Sequence, residues 1–233
     1  MFWGFFDPLY FVFLAPGLAL SLYATFRTKR TFSKYSQVGS RSGLTGAQAA
    51  QLMLNKHGVS GVRIERAQGF LSDHYDPREK TLRLSEDVYS SQSLSAIGVA
   101  CHEAGHAMQD AHGYAMLSLR SALVPATNFS STFAYIVMIA GFFLQMAGLI
   151  LIGVGLFTVG VVFALVTLPV EWDASRRARI AIDEAGMLSP EESRHASKVL
   201  NAAFLTYVAA AVTSLLTLVY YLFRLGVLGG GDE

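Results

Sequence analysis

His102, Glu103 and His106 stand in the order His-Glu-x-x-His, within Cys101-His102-Glu103-Ala104-Gly105-His106. On a helix, side chains four apart lie on one face, one turn above the other. Both histidines can therefore present ring nitrogens to one metal ion. Glu103, one residue on, lies about 100° round the helix, where it reaches a water on that metal rather than the metal itself. Two His ligands with a glutamate as general base are the arrangement of zinc proteases. With 6 His in 233 residues, about 0.006 chance matches are expected, so composition does not account for the motif.

A catalytic zinc needs three protein ligands and an open position, and two candidates compete for the third place. His112 falls ten residues after His102, the spacing of the extended metzincin motif. That motif uses Gly to turn the chain, and position 109 is Gln; on a continued helix His112 lies too far along the axis. Glu171 is the rival. It follows a long apolar stretch directly, where a charge unpaired by a metal would be costly. Asp173 is expected to support a ligand from behind, and Asp183 is less well placed. Cys101 is expected to be a small helix-packing residue, and His74 a hydrogen-bonding loop residue.

The elements that must position these groups follow from the apolar pattern. Residues 94–111 lack Pro, and Ile97, Ala100, Ala104, Ala107 and Met108 recur near helical spacing, which predicts the helix that carries the motif. Residues 9–26 carry no charge, about the minimum for a spanning helix. Residues 2–26 lack the basic start and small-residue cleavage site of a removable signal peptide. Residues 133–170 are 38 residues without a formal charge. As one helix they would run about 57 Å, nearly twice the hydrocarbon thickness, so two spans with a tight turn near 145–148 are predicted. A last span follows a polar helix started by Ser189-Pro190-Glu191-Glu192. The spans are placed at about 9–26, 122–145, 148–170 and 203–226, with 229–233 as a frayed tail.

Residues 27–120 and 171–202 then form one catalytic region on a single side of the membrane, and the whole chain is read as one membrane-integral domain. Thr45 is predicted to cap a helix ending at Lys56. Residues 59–66 and 81–84 read as short strands about a turn at Asp76-Pro77-Arg78, with 82–85 alternating as an edge strand would, and Glu171 opens a second helix stopped at Gly186. The expected fold class is thus a mainly α membrane protein, with about four transmembrane helices and a small α+β zincin-like region holding a short β-sheet.

Composition agrees. Charged residues are 15% of the chain, against about 25% in ordinary soluble domains, and mean hydropathy is +0.40. The net charge of +1 selects no partner. No basic run interleaved with aromatics and no Gly-rich phosphate loop is present, so nucleic acid is not an expected partner. Cys101 is the sole cysteine, which excludes an intrachain disulfide. Arg27, Lys29, Arg30, Lys34, Arg120, Arg176, Arg177 and Arg179 flank the spans on the catalytic side and Arg224 alone on the other. The positive-inside rule therefore turns the active site towards the cytoplasm.

The chain also resembles the YugP-like neutral zinc metallopeptidases of bacteria. The resemblance rests on 69–77 (GFLSDHYDP), 101–107 (CHEAGHA), 168–178 (LPVEWDASRRA) and 199–203 (VLNAA). Residues 171–178 are more distantly similar to the Glu-x-x-Ala-Asp segment of HtpX-type membrane peptidases, with Ser175 where that pattern has Asp. The resemblance implies a membrane-integral gluzincin with one zinc per chain on His102, His106 and Glu171, in the bacterial inner membrane. Peptide-bond hydrolysis is the implied chemistry, with Glu103 activating a zinc-bound water and the bilayer-side site favouring membrane or membrane-proximal polypeptides. His195 and Tyr207 are the candidate donors to the oxyanion. Two other classes stand against this: a zinc-binding scaffold without catalysis, and a zinc-dependent membrane protein acting on something other than peptides.

Overall fold

The computed structural model describes residues 7–69 and 72–227; Phe70 and Leu71 of the family-like segment, and the 229–233 tail, lie outside them. The elements in order are α1 (Pro8–Ser36), α2 (Gly46–Lys56), β1 (Arg63–Ala67), β2 (His74–Asp76), β3 (Thr81–Ser85), α3 (Glu86–Tyr89), α4 (Leu94–Ala111), α5 (Ala115–Phe143), α6 (Ala147–Glu184) and α7 (Pro190–Arg224). Four of them, α1, α5, α6 and α7, are long and apolar enough to cross a membrane. The chain divides into two compact units. One comprises Met1–Tyr23, Leu119–Leu168 and Thr206–Glu233, the other Ala24–Ser118 and Pro169–Leu205.

In the first unit, the turn between α5 and α6 is made by Gln145 in the left-handed region (φ 58°), with the Met146 N–H donating to Gly141 O at 2.9 Å. Gly153 lets α6 close on α5, since a Cβ there would meet Met138 Cγ at 2.4 Å. Phe129, Ile136, Ile139, Phe143, Leu151 and Ile152 are exposed, as they would be on a surface solvated by lipid.

In the second unit, α4 is the axis. Its residues Leu94, Ile97, Ala100, Cys101 and Ala104 are fully buried. They belong to one core with Met53 and Leu54 of α2, Leu82 and Leu84 of β3, Ile182 of α6 and Val199 of α7. Burying each larger aliphatic side chain is worth about 1.5–3 kcal/mol. Thr45 starts α2 through a capping box, accepting from the Gln48 N–H at 3.2 Å while the Gln48 side chain accepts from the Thr45 N–H at 2.9 Å. Gly46 is needed because a Cβ there would lie 2.2 Å from Val88 O. Ser93 caps α4, accepting from the Ala96 N–H, and α4 covers the residues predicted for the motif helix.

Four expectations are corrected. The sheet has three strands, not two, in the order β1-β3-β2, with β1 parallel and β2 antiparallel to β3. Thr81–Ser85 is therefore the central strand, not an edge, with four of its five side chains buried. The third strand, β2, is only three residues long, too short to leave an alternating pattern, and His74 sits on it rather than in a loop. Finally, Glu171 does not open a helix. α6 runs unbroken from the apolar stretch through Glu171 to Glu184, with Pro169 inside it: a proline removes one N–H donor, but no helix-stopping residue joins it here.

Candidate metal centre

α4 sets His102 and His106 one turn apart, with ring centroids 4.9 Å from one another. Glu171 reaches them from α6. What allows this is Gly105, between the two histidines: a Cβ at 105 would sit 2.6 Å from Ala174 O, so the missing side chain lets the α6 backbone lie directly on the motif. Glu171 Oε2 is 3.1 Å from His102 Nε2 and 3.6 Å from His106 Nε2, and the three candidate ligand atoms all lie within 4.8 Å of one another. Ligands at 2.0–2.1 Å from a tetrahedral zinc stand about 3.3 Å apart. The two measured separations straddle that value, and the donor set of two imidazoles and a carboxylate is one that zinc takes, so the residues fit the ion.

Each histidine is held from behind by its other nitrogen. Gln109, fully buried, donates from Nε2 to Val170 O (2.8 Å) and Asp173 Oδ2 (2.9 Å). Its Oε1 therefore faces His106 Nδ1 at 2.9 Å as an acceptor for a proton on that nitrogen, and Nε2 is the atom turned towards Glu171. Asp173 is braced in turn by Arg177 Nε at 2.6 Å. Ser175 Oγ lies 3.1 Å from His102 Nδ1, so a hydroxyl stands where the HtpX-type pattern has a carboxylate. Such partners fix ring orientation and tautomer in metal sites.

The electrostatics favour positive charge at this point, whether a proton on an imidazole or a metal ion. Burial by itself would raise Glu171, but its hydrogen bonds to His102 and His106 outweigh this and hold it well below the ordinary carboxylate range. Burial would lower His106, yet the hydrogen bond and charge of Glu171, the charge of Glu103 and the Gln109 contact push it above its ordinary value. Both shifts express one fact: a buried carboxylate facing two imidazoles is stabilised by positive charge between them. Glu103 is half-buried and, among the described residues, makes no hydrogen bond or ion pair, so its carboxylate is available to a water.

His112 ends α4, with Arg177 Nη1 3.0 Å from its Nδ1, outside the cluster of three. Cys101 points into the core, where burial pushes its thiol up to about 12. Asp183 accepts from Ser193 Oγ and ties α6 to α7. His74 Nδ1 is 2.8 Å from Ser72 O. His195 stacks on Tyr35 with centroids 4.9 Å apart, and Tyr207 belongs to the other unit. Two residues that the sequence did not single out as supports are Gln109 and Ser175. Their signal was positional: Gln109 is three residues after His106 and Ser175 four after Glu171, each on its ligand's own helix face.

Comparison with known proteins gives the same assignment. Residues 10–226 match the family described as "Putative neutral zinc metallopeptidase". The chain is similar to the "Putative membrane protease YugP" of Bacillus subtilis (strain 168), with 44% identity over 224 residues, covering 96% of this chain and 99% of that protein. No solved structure matches it. A motif of two histidines and a glutamate gathered at one point, four apolar helices and a match along almost the whole length lead to one conclusion: the chain belongs to the neutral zinc metallopeptidase family, as a membrane protein.

Proposed function

We propose that this chain is a membrane-integral zinc endopeptidase of the gluzincin type. His102, His106 and Glu171 would hold one zinc per chain, and Glu103 would be the general base. The observation that carries the reading is the convergence of two Nε2 atoms on Glu171 Oε2 at 3.1 and 3.6 Å, beside Glu103, which makes no hydrogen bond or ion pair among the described residues. Zinc at these ligands supplies Lewis acidity, polarising the scissile carbonyl and bringing the pKa of water towards 7. Glu103 takes the proton from the attacking water as the new C–O bond forms, and gives it to the leaving nitrogen as the C–N bond breaks. Gln109 would keep His106 in the tautomer that offers Nε2, and Ser175 would hold the orientation of the His102 ring.

The substrate class follows from location. Glu171 stands at the end of the apolar stretch 148–170, so membrane proteins and their juxtamembrane segments are the polypeptides within reach. The excess of Arg and Lys beside the spans on the catalytic side supports a cytoplasmic active site in the bacterial inner membrane. The test is Glu103→Gln. The variant should keep its zinc and lose cleavage of unfolded casein by at least about 100-fold, measured as zinc content and product release on the same preparation. Wild type that binds zinc yet cleaves casein and a membrane protein no faster than the variant would replace the peptidase with a zinc-binding scaffold.

A further inference from the structure

Several basic residues of the second unit, on and around the sheet and behind the metal centre, have acidic partners: Arg63 with Glu65 (3.4 Å), Arg66 with Glu86 (3.0 Å), Arg177 with Asp173 (2.6 Å), and Lys80 with Asp110. A second group lies just beyond the apolar stretches, and among the described residues no carboxylate is in ion-pair contact with Arg30, Arg176, Arg179 or Lys198.

Two of them are also built into place. The Arg30 guanidinium lies 6.0 Å from the centre of the exposed Phe26 ring, one turn earlier on α1. On α6, Arg179 lies 5.4 Å from the ring centre of Trp172, which is half-exposed, and donates from Nη1 to Asn201 Oδ1 at 2.9 Å. Trp172 packs edge-on against Phe204 of α7 at 5.3 Å. Trp172, Arg176 and Arg179 are spaced 0, 4 and 7, one stripe of the helix. Both helices meet α7 at one level: Thr28 Oγ1 of α1 donates to Ala202 O at 2.7 Å, next to the Asn201 that holds Arg179. An aromatic ring seated at the interface with an arginine on its face puts a forked donor at headgroup depth, and the guanidinium fork matches a phosphodiester.

We propose that Arg30 on Phe26, Arg179 on Trp172 and the exposed Arg176 form a surface that binds the phosphate headgroups of anionic phospholipids beside the metal centre. The surface stands whether or not the chain is a peptidase. The test is native mass spectrometry of the full-length protein from micelles holding equimolar phosphatidylglycerol and phosphatidylcholine of matched acyl chains. Wild type should retain phosphatidylglycerol in preference. Arg30→Gln/Arg179→Gln should weaken that preference by about fivefold per arginine, whereas Arg63→Gln/Arg66→Gln, which removes the same charge from the sheet, should leave it intact. If the first pair does not fold, the single Arg176→Gln, at an exposed side chain, should weaken the preference by about fivefold. Equal retention of both lipids by wild type overturns the proposal, as does an equal loss in the two pairs or no loss in the first.

Discussion

At the scale of single residues, the centre depends on one amide. Gln109 holds the orientation of His106 through Oε1 and spends both Nε2 hydrogens on α6, at Val170 O and Asp173. Gln109→Leu keeps the bulk but removes the acceptor that fixes the tautomer. Zinc affinity, read by competition with a chromophoric chelator, should fall about 10- to 100-fold, as for the loss of other outer partners of metal-bound histidines. Unchanged affinity would show that packing alone orients His106. The histidine motif was legible in the sequence because its chemistry and spacing are one statement, four residues on one helix face. Gln109 was legible only as the wrong residue for a metzincin turn, since what a buried amide binds depends on the helix opposite. Ser175 was visible as a departure from a pattern, and a hydroxyl substituting for a carboxylate became readable only at 3.1 Å from His102 Nδ1.

At the scale of elements, the site exists because α4 and α6 touch backbone to backbone. Gly105→Ala adds one methyl group where 2.6 Å is available to Ala174 O. The helices must separate by more than the ligand geometry tolerates, even though alanine favours the helix by about 1 kcal/mol. The variant should fold with its helix content retained but bind zinc substoichiometrically, checked by circular dichroism and metal analysis together. Full zinc occupancy would show that α6 can shift without cost. The same scale explains what pattern reading missed. The start of α2 could be read because Thr45 carries a local capping signal, and α4 because its apolar residues recur at helical spacing. The centre of the sheet could not: Thr81–Ser85 looks like an edge until the three residues of β2 pair with it, and that pairing is a tertiary event. Glu171 was expected at a helix start, whereas α6 runs through it unbroken from the apolar stretch.

At the scale of the whole molecule, three ligands drawn from two helices would make a bound zinc a clasp as well as a reagent. Zinc that binds only the folded chain stabilises it by about 2.7 kcal/mol at a hundred times its dissociation constant. Stripping the metal with a strong chelator should lower the melting temperature in detergent, and zinc should restore it. The Glu171→Ala variant should melt low with or without the chelator. A melting temperature indifferent to chelation would mean the helices are held by packing alone. The number of long apolar helices was readable because absence of charge over about 20 residues is a direct consequence of the solvent, whereas their polar extensions, such as α6 running on to Glu184, were not.

The claim on which the rest depends is that one zinc sits between His102, His106 and Glu171. Zinc-edge X-ray absorption of the purified full-length protein measures this most directly. The account predicts one zinc per chain with only nitrogen and oxygen neighbours, two of them imidazoles, and the loss of one oxygen neighbour or of the metal in Glu171→Ala. A sulfur neighbour, a third imidazole, or a spectrum unchanged by Glu171→Ala would contradict it.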